Sequence, residues 1–160
     1  MLALATVLAC HRAEPSLPYD LTPAERSALS GLLVTRAGWH VATTADNTDA
    51  GLADMRRTEP GYEPYFRRGD WNGDGQRDFA IVLARDTAMV AYWFRADGSG
   101  FAPAEELAAA GWLRSGGIFE RAGALTLAPF ASDELFIFRW DSAQRHLRLE
   151  PVDSSSDDHK

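Results

Sequence analysis

The sequence predicts an α+β fold in which an N-terminal helix, followed by a weaker candidate for a second helix, packs on an antiparallel β-meander sheet. The first part of the chain carries a helix start and apolar residues at helical spacing. From Tyr65 onward, short runs rich in aromatic and β-branched residues alternate with turn residues. The connections between these runs are short, which favours antiparallel strands because parallel crossovers need a dozen or more residues. The length of 160 residues fits one domain of this kind.

The first helix is predicted to begin at residues 22–25, which read Thr-Pro-Ala-Glu. This is a capping box, in which the threonine and glutamate side chains satisfy each other's backbone donors, with proline at the first helical position. An apolar stripe follows at Ala28, Leu29, Leu32 and Leu33. The helix should end before Gly38. Residues 39–42 favour a short extended segment, and residues 48–57 favour a weak second helix that ends at the Pro-Gly pair at 60–61.

The predicted strands occupy most of the second half of the chain. They cover residues 79–84, 89–95, 101 onward, 118–121, 125–128, 135–140 and 146–150. The run 79–84 is continuously apolar, whereas 146–150 alternates apolar and polar residues. Residues 97–100, Asp-Gly-Ser-Gly, predict a hairpin turn after the second strand.

The charge balance is acidic. The chain contains 16 Lys and Arg residues against 23 Asp and Glu residues, which gives a net charge of −7. Lys160 is the only lysine, and the arginines are scattered singly or in pairs, so the sequence contains no dense basic patch for nucleic acid. We therefore expect no nucleic-acid partner, and the acidic balance favours cations.

The N-terminus predicts export and a lipid anchor. Residues 2–9 are apolar but too short to span a bilayer, which needs about 20 apolar residues. They end in residues 7–10, Val-Leu-Ala-Cys, which resemble the lipobox of bacterial lipoproteins. The resemblance implies that Cys10, the only cysteine, becomes the lipid-bearing first residue of the mature protein. Since no Lys or Arg precedes the apolar run, we expect the true translation start to lie upstream of Met1.

These features divide the chain into four parts. Residues 1–9 are the predicted signal peptide, 10–20 the lipidated cysteine and a polar tether, 21–152 a single α+β domain, and 153–160 a polar tail predicted to be disordered. The alternative is that residues 1–10 are a frayed end and Cys10 an ordinary buried thiol. In the lipoprotein interpretation, His11 after the cysteine resembles lipoproteins sent to the outer membrane, on its periplasmic face or at the cell surface.

Residues 70–78, here called the acidic loop, carry the only strong chemical motif. A hard cation such as Ca²⁺ takes six to eight oxygen ligands, and alternate residues of a tight loop can turn their oxygens inward. The predicted ligands are the side chains of Asp70, Asn72 and Asp74, the backbone carbonyl of Gln76, and the carboxylate of Asp78, directly or through water. Gly73 and Gly75 are the predicted turn glycines, where a Cβ would be unfavourable. The alternative is an acidic, glycine-rich turn without a metal.

The surroundings of the acidic loop indicate the kind of calcium site. An EF-hand would place a bidentate glutamate at the twelfth position and continue as a helix, but that position is Ile81, inside an apolar strand. Residues 69–84, GDWNGDGQRDFAIVLA, resemble instead the FG-GAP or VCBS-type repeat, closely over about residues 67–84. That repeat usually forms the blades of a β-propeller, and a single copy cannot close a propeller. The chain is more similar to small bacterial envelope proteins in which a helix and a Gly-Trp segment, here Gly-Trp-His-Val at 38–41, precede one such loop and an antiparallel sheet.

These observations predict a non-enzymatic envelope lipoprotein with a structural Ca²⁺ site and a protein or glycan partner. The four histidines have no zinc-ligand spacing, and the chain lacks a nucleophile elbow, a P-loop and a dinucleotide motif. The alternative is an accessory envelope hydrolase, or an inhibitor-like factor that binds a glycan or protein through an aromatic sheet face formed by Phe136 and Phe138. Core packing is the default interpretation of these aromatic residues, and a cleft of about 300 Å³ or more would favour the alternative.

Overall fold

A computed structural model describes residues 17–150, and the residues discussed below belong to that range. The predictions for Cys10, for the signal peptide and for the tail fall outside the described residues. Two α-helices and eleven strands follow one another, and the strands pair antiparallel, so the α+β class is confirmed. The helices are α1 (Pro23–Thr35) and α2 (Gly51–Thr58). The strands are β1 (His40–Val41), β2 (Phe66–Gly69), β3 (Asp78–Arg85), β4 (Ala88–Phe94), β5 (Ala96–Asp97), β6 (Gly100–Phe101), β7 (Glu105–Ala109), β8 (Gly116–Arg121), β9 (Ala124–Pro129), β10 (Phe136–Asp141) and β11 (His146–Leu149).

Helix α1 begins where its capping box predicts. The Thr22 side chain accepts a hydrogen bond from the Glu25 backbone at 3.3 Å, and the Glu25 carboxylate accepts one from the Thr22 backbone at 2.7 Å. The helix ends at Thr35, before Gly38. Leu29 from the predicted apolar stripe is completely buried, in a cluster that also contains Phe79 and Ile81 of β3.

The first sheet has the order β1-β3-β4-β7, and β2 pairs with β3 beside β1. The short strands β1 and β2 share one edge of β3: Val41 of β1 pairs with Leu83, and Phe66 of β2 pairs with Ile81. Seven of the eight residues of β3 are buried. Both of its faces are therefore covered, which explains a continuous apolar run instead of an alternating one.

The second sheet is a meander with the order β11-β10-β9-β8. Its inner face, with Ile118, Leu125 and Phe138, belongs to the same buried cluster as Val82 and Trp93 of the first sheet. The strands thus form two packed sheets where the sequence suggests one meander. The second sheet is required because the inner face of the first would otherwise be exposed to water.

The aromatic face of β10 is not an exposed platform. Phe138 is only 4% exposed, and Phe136 and Trp140 pack against the same core cluster. Phe136 also stacks on Trp112, with 4.8 Å between ring centroids. The alternative function that placed a glycan or partner on this face is therefore wrong about the surface, because these rings cover the first sheet.

Strand β2 is absent from the prediction, and β7 follows the run predicted to start at residue 101 without a defined end. Strand β2 reads Phe-Arg-Arg-Gly, and β7 reads Glu-Glu-Leu-Ala-Ala, a composition with high helix propensity. Strand β7 forms because β4 offers a free edge, so tertiary pairing overrides propensity. The predicted turn at 97–100 does form a hairpin, but as the separate pair β5 and β6.

No helix within residues 17–150 combines the length and apolarity needed to cross a membrane.

Candidate functional site

The acidic loop joins β2 to the central strand β3. Its base is closed by pairing, since Gly69 at the end of β2 lies opposite Asp78 at the start of β3. Gly73 and Gly75 have φ angles of 73° and 81°, in the left-handed region that favours glycine. The two predicted turn glycines are therefore where the backbone requires them.

Asp70 organises the exposed part of the loop. Its Oδ1 accepts hydrogen bonds from the backbone of Gly73 at 2.8 Å and Asp74 at 3.1 Å, and its Oδ2 accepts one from Gly75 at 2.8 Å. Asn72 accepts from the Asp74 backbone at 3.0 Å and donates to the Asp74 carboxylate at 2.8 Å. These three side chains turn inward over the loop, so the structure brings together the first three predicted ligands.

The remaining predicted side-chain ligand, Asp78, lies apart from them. It is completely buried, and its two oxygens accept hydrogen bonds from the backbone of Ala96 at 2.8 Å and of Trp71 at 3.4 Å. Burial raises the pKa of Asp78 to about 6, even though these hydrogen bonds favour the charged form. Through these hydrogen bonds Asp78 connects the start of the loop and strand β5 to strand β3.

The carboxylates of the loop have no basic partner. Among the ion pairs within residues 17–150, none includes Asp70, Asp74 or Asp78. Three carboxylates within nine residues repel one another unless a cation screens them. Their oxygens are of the type that a hard cation prefers. In the same range, no three His, Cys, Asp or Glu side chains converge as a metal-binding group, and the loop carboxylates accept hydrogen bonds from backbone amides.

Trp71, the second residue of the loop, anchors it to the second sheet. Its side chain is 5% exposed and lies in the cluster that joins the two sheets. The indole packs so closely over Gly69 that a Cβ there would collide with it. The indole Nε1 has no hydrogen-bond partner among the described residues, so the ring contributes through packing. The sequence motif did not indicate this role of Trp71, and the signal that could have found it is an aromatic residue between the acids of the loop.

A cleft of about 640 Å³ adjoins the loop. It lies between the N-terminus of α1, the last loop residues Gln76 and Arg77, and the β5–β6 hairpin. One wall carries Glu25, which is 4% exposed and accepts hydrogen bonds from Arg68 at 2.6 and 2.7 Å. Burial alone would raise the pKa of Glu25, but the hydrogen bonds from Arg68 and Thr22 hold it below its usual value. Glu25 is therefore a structural carboxylate and not a free acid or base.

Comparisons of the chain with models of protein families, with curated proteins and with solved structures give no match.

Proposed function

We propose that this protein is a non-enzymatic, lipid-anchored component of the bacterial cell envelope whose acidic loop binds Ca²⁺ for structural purposes. In this proposal, Cys10 carries the lipid, and the domain displays a surface to an envelope protein or glycan. The observation that carries the calcium proposal is the group of Asp70, Asp74 and Asp78 at the start of the central strand, none of which forms an ion pair within residues 17–150.

The chain's own residues define what the cation would do. Asp70, Asn72 and Asp74, with the carbonyl of Gln76, would hold it on the exposed side of the loop, and Asp78 would contribute from the buried side. Bound Ca²⁺ would offset the repulsion among the carboxylates. Since the loop leads directly into β3, which is paired on both sides, a more rigid loop would hold that strand and β5 in register.

The affinity should be low. A loop without a bidentate glutamate at its twelfth position has fewer charged ligands, which favours the extracellular range of about 10⁻⁴–10⁻³ M. At millimolar Ca²⁺, such a site would stabilise the native state by on the order of 1 kcal/mol. This value is consistent with a structural site in a calcium-rich compartment.

Added Ca²⁺ is expected to raise the melting temperature of the full chain by about 4 °C at millimolar concentration, because only the folded loop binds it. Asp70→Asn and Asp74→Asn should each abolish most of this shift. Asparagine keeps an acceptor for the loop amides but removes the charge that holds the cation. The measurement is a thermal melt in EDTA and in Ca²⁺, with Mg²⁺ for comparison.

Asp133→Asn is the matched control, because Asp133 is an exposed carboxylate in the loop between β9 and β10. It should keep the full Ca²⁺ shift. A wild-type melt that Ca²⁺ leaves unchanged, or loop variants that respond like wild type, would contradict the calcium proposal.

The anchor is tested separately. When the full chain is expressed in a bacterium with lipoprotein processing, wild type should remain with membranes in high salt, and Cys10→Ala should release it. The reason is that an acyl anchor is held by apolar burial, which salt does not screen. Cys10→Ala should leave the Ca²⁺-dependent melt unchanged. If the wild-type protein is found free of membranes, the proposal of a lipid anchor is wrong, and the calcium proposal is unaffected.

The cleft beside the loop supports the alternative function in one respect. Its volume of about 640 Å³ lies within the usual range of small-molecule sites, which supports an accessory factor that binds a ligand there. The cleft is lined by two carboxylates, Asp20 and Glu25. Glu25 forms an ion pair with Arg68, so it is not available as the second acid of an acid–base pair with Asp20. The cleft therefore favours ligand binding over hydrolysis.

A further inference from the structure

Asn72 and Gly73 form the one Asn-Gly pair of the chain, and they lie in the acidic loop. In such a pair the backbone nitrogen of the glycine can attack the amide carbon of the asparagine side chain, because glycine has no Cβ to hinder the approach. Gly73 is exposed, with a φ angle of 73°. Apart from its chain neighbours, no atom lies within 4 Å of the position that a Cβ would take. The two reacting groups are therefore adjacent in a segment that is open to water.

The reaction of this pair converts an amide into an acid. The Gly73 nitrogen forms a bond to Cγ of Asn72, and the bond from Cγ to Nδ2 breaks. The proton of the Gly73 nitrogen passes through the solvent to the departing nitrogen, which leaves as ammonia. One water molecule then opens the five-membered imide at either of its two carbonyl carbons. The product is aspartate at position 72, or isoaspartate when the main chain continues through the former side chain.

The folded loop restrains both reacting groups. The Gly73 N–H donates to Oδ1 of Asp70 at 2.8 Å, and a carboxylate beside an N–H group favours its protonated form. The Asn72 side chain accepts a hydrogen bond from the Asp74 backbone at 3.0 Å and donates one to the Asp74 carboxylate at 2.8 Å. These bonds must break before Cγ can turn towards the Gly73 nitrogen. Asp70 and Asp74 therefore slow the reaction as long as the loop is closed.

Asn47, the only other asparagine of the chain, provides an internal comparison. It is followed by Thr48, whose β-branched side chain crowds the backbone nitrogen that would attack. Its amide donates to the Tyr65 hydroxyl at 2.9 Å and to the Gly116 carbonyl at 3.1 Å. The chain thus contains one asparagine that is prone to this reaction and one that is not.

We propose that Asn72 is a site of self-modification, which deamidates through the Gly73 nitrogen when its hydrogen-bonded loop opens. Aspartate at position 72 replaces the hydrogen bond to the Asp74 carboxylate with repulsion between two carboxylates. Isoaspartate adds one carbon to the main chain, which displaces the amides of Gly73 and Gly75 from Asp70. Either product loosens the loop that leads into β3. The proposal is independent of the calcium proposal, because every group in it belongs to the loop itself.

The test follows the conversion of Asn72 in the full chain, in EDTA and at mildly alkaline pH. Trypsin cleaves after Arg68 and Arg77, so fragment masses of the peptide 69–77 show whether the amide at position 72 has become an acid. Wild type unfolded in guanidinium chloride should convert at least about tenfold faster than native wild type, the factor that corresponds to one charge-assisted hydrogen bond. In the unfolded chain, the peptide that contains Asn47 should convert far more slowly.

Variants of the folded chain separate the restraint from the Asn-Gly pair. Asp70→Ala and Asp74→Ala each remove a hydrogen-bond acceptor and should each speed conversion by about tenfold. Asp133→Ala, which removes an exposed carboxylate outside the loop, should convert at the wild-type rate. A cooperative urea melt of each variant verifies that it is folded during the incubation. If Asp70→Ala does not fold, Asp74→Ala decides the comparison.

Gly73→Ala tests the attacking nitrogen. In guanidinium chloride, where the φ angle of the folded loop plays no part, it should convert more slowly than wild type because its Cβ hinders the attack. The proposal is overturned if Asn72 stays an amide in the unfolded wild type, or if Asn47 converts as fast. It is also overturned if native and unfolded wild type convert at the same rate, or if the folded loop variants convert no faster than Asp133→Ala.

Discussion

Trp71→Ala is expected to lower the free energy of unfolding by about 3–5 kcal/mol, the largest loss for any single change in the acidic loop. Trp71 fills the space between the two sheets at the point where the loop begins, and it is the only hydrophobic side chain of the loop. Its removal leaves a cavity beside Trp93 and Phe138 and frees Gly69 from the contact that holds it. Urea denaturation in EDTA measures the change without a contribution from bound cation.

Trp71→Phe separates packing from hydrogen bonding. Because the indole Nε1 has no acceptor among the residues described, phenylalanine should lose only about 1–2 kcal/mol. Trp39→Ala is the comparison for a tryptophan outside this cluster, since Trp39 is only partly buried and lies under Arg85. Equal losses for Trp71→Ala and Trp39→Ala would show that Trp71 does not join the loop to the second sheet.

In EDTA, the protein is expected to lose on the order of 2–3 kcal/mol of stability between about pH 4 and pH 6 through Asp78. The folded state raises the pKa of Asp78 to about 6, mainly because the carboxyl is buried. A group whose pKa is raised on folding stabilises the native state fully below its unfolded pKa, and this stabilisation is lost as the pH rises through the folded pKa. Urea midpoints across this range measure the decline.

Asp78→Asn should flatten the profile, because it keeps an acceptor for the Ala96 amide and cannot ionise. Asp74→Asn should retain the decline, because Asp74 is exposed. Burial also raises the pKa of Glu105, so Glu105 lowers the stability in the same direction as the pH rises. The difference in unfolding free energy between wild type and Asp78→Asn therefore isolates the effect of Asp78. If that difference is constant from pH 4 to 6, the carboxyl is not perturbed as described.

Local patterns predicted the parts of the fold that depend on neighbours along the chain. The capping box at Thr22 and Glu25 uses only backbone groups within one helical turn, and it forms as expected. The two glycines of the acidic loop meet a backbone requirement set by the loop itself. By contrast, β7 forms against its own propensity because β4 supplies a partner edge.

For the candidate site, the sequence supplied the residues of the acidic loop but not their environments. Asp70 and Asp78 are both predicted carboxylate ligands, yet Asp70 is exposed and Asp78 is completely buried. The difference arises because strand β5, distant in sequence, brings the Ala96 amide to Asp78. Burial and its effect on pKa depend on contacts between distant segments, so spacing alone could not predict them.

The sequence by itself determined the α+β class, the start of α1, the central apolar strand and the concentration of acids between residues 70 and 78. Only the tertiary structure divided the strands between two packed sheets and the separate β5–β6 pair, and turned the aromatic face of β10 into the core. The physical reason is that periodicity specifies which side of a strand is apolar, whereas pairing register and the covering layer decide which side chains become neighbours.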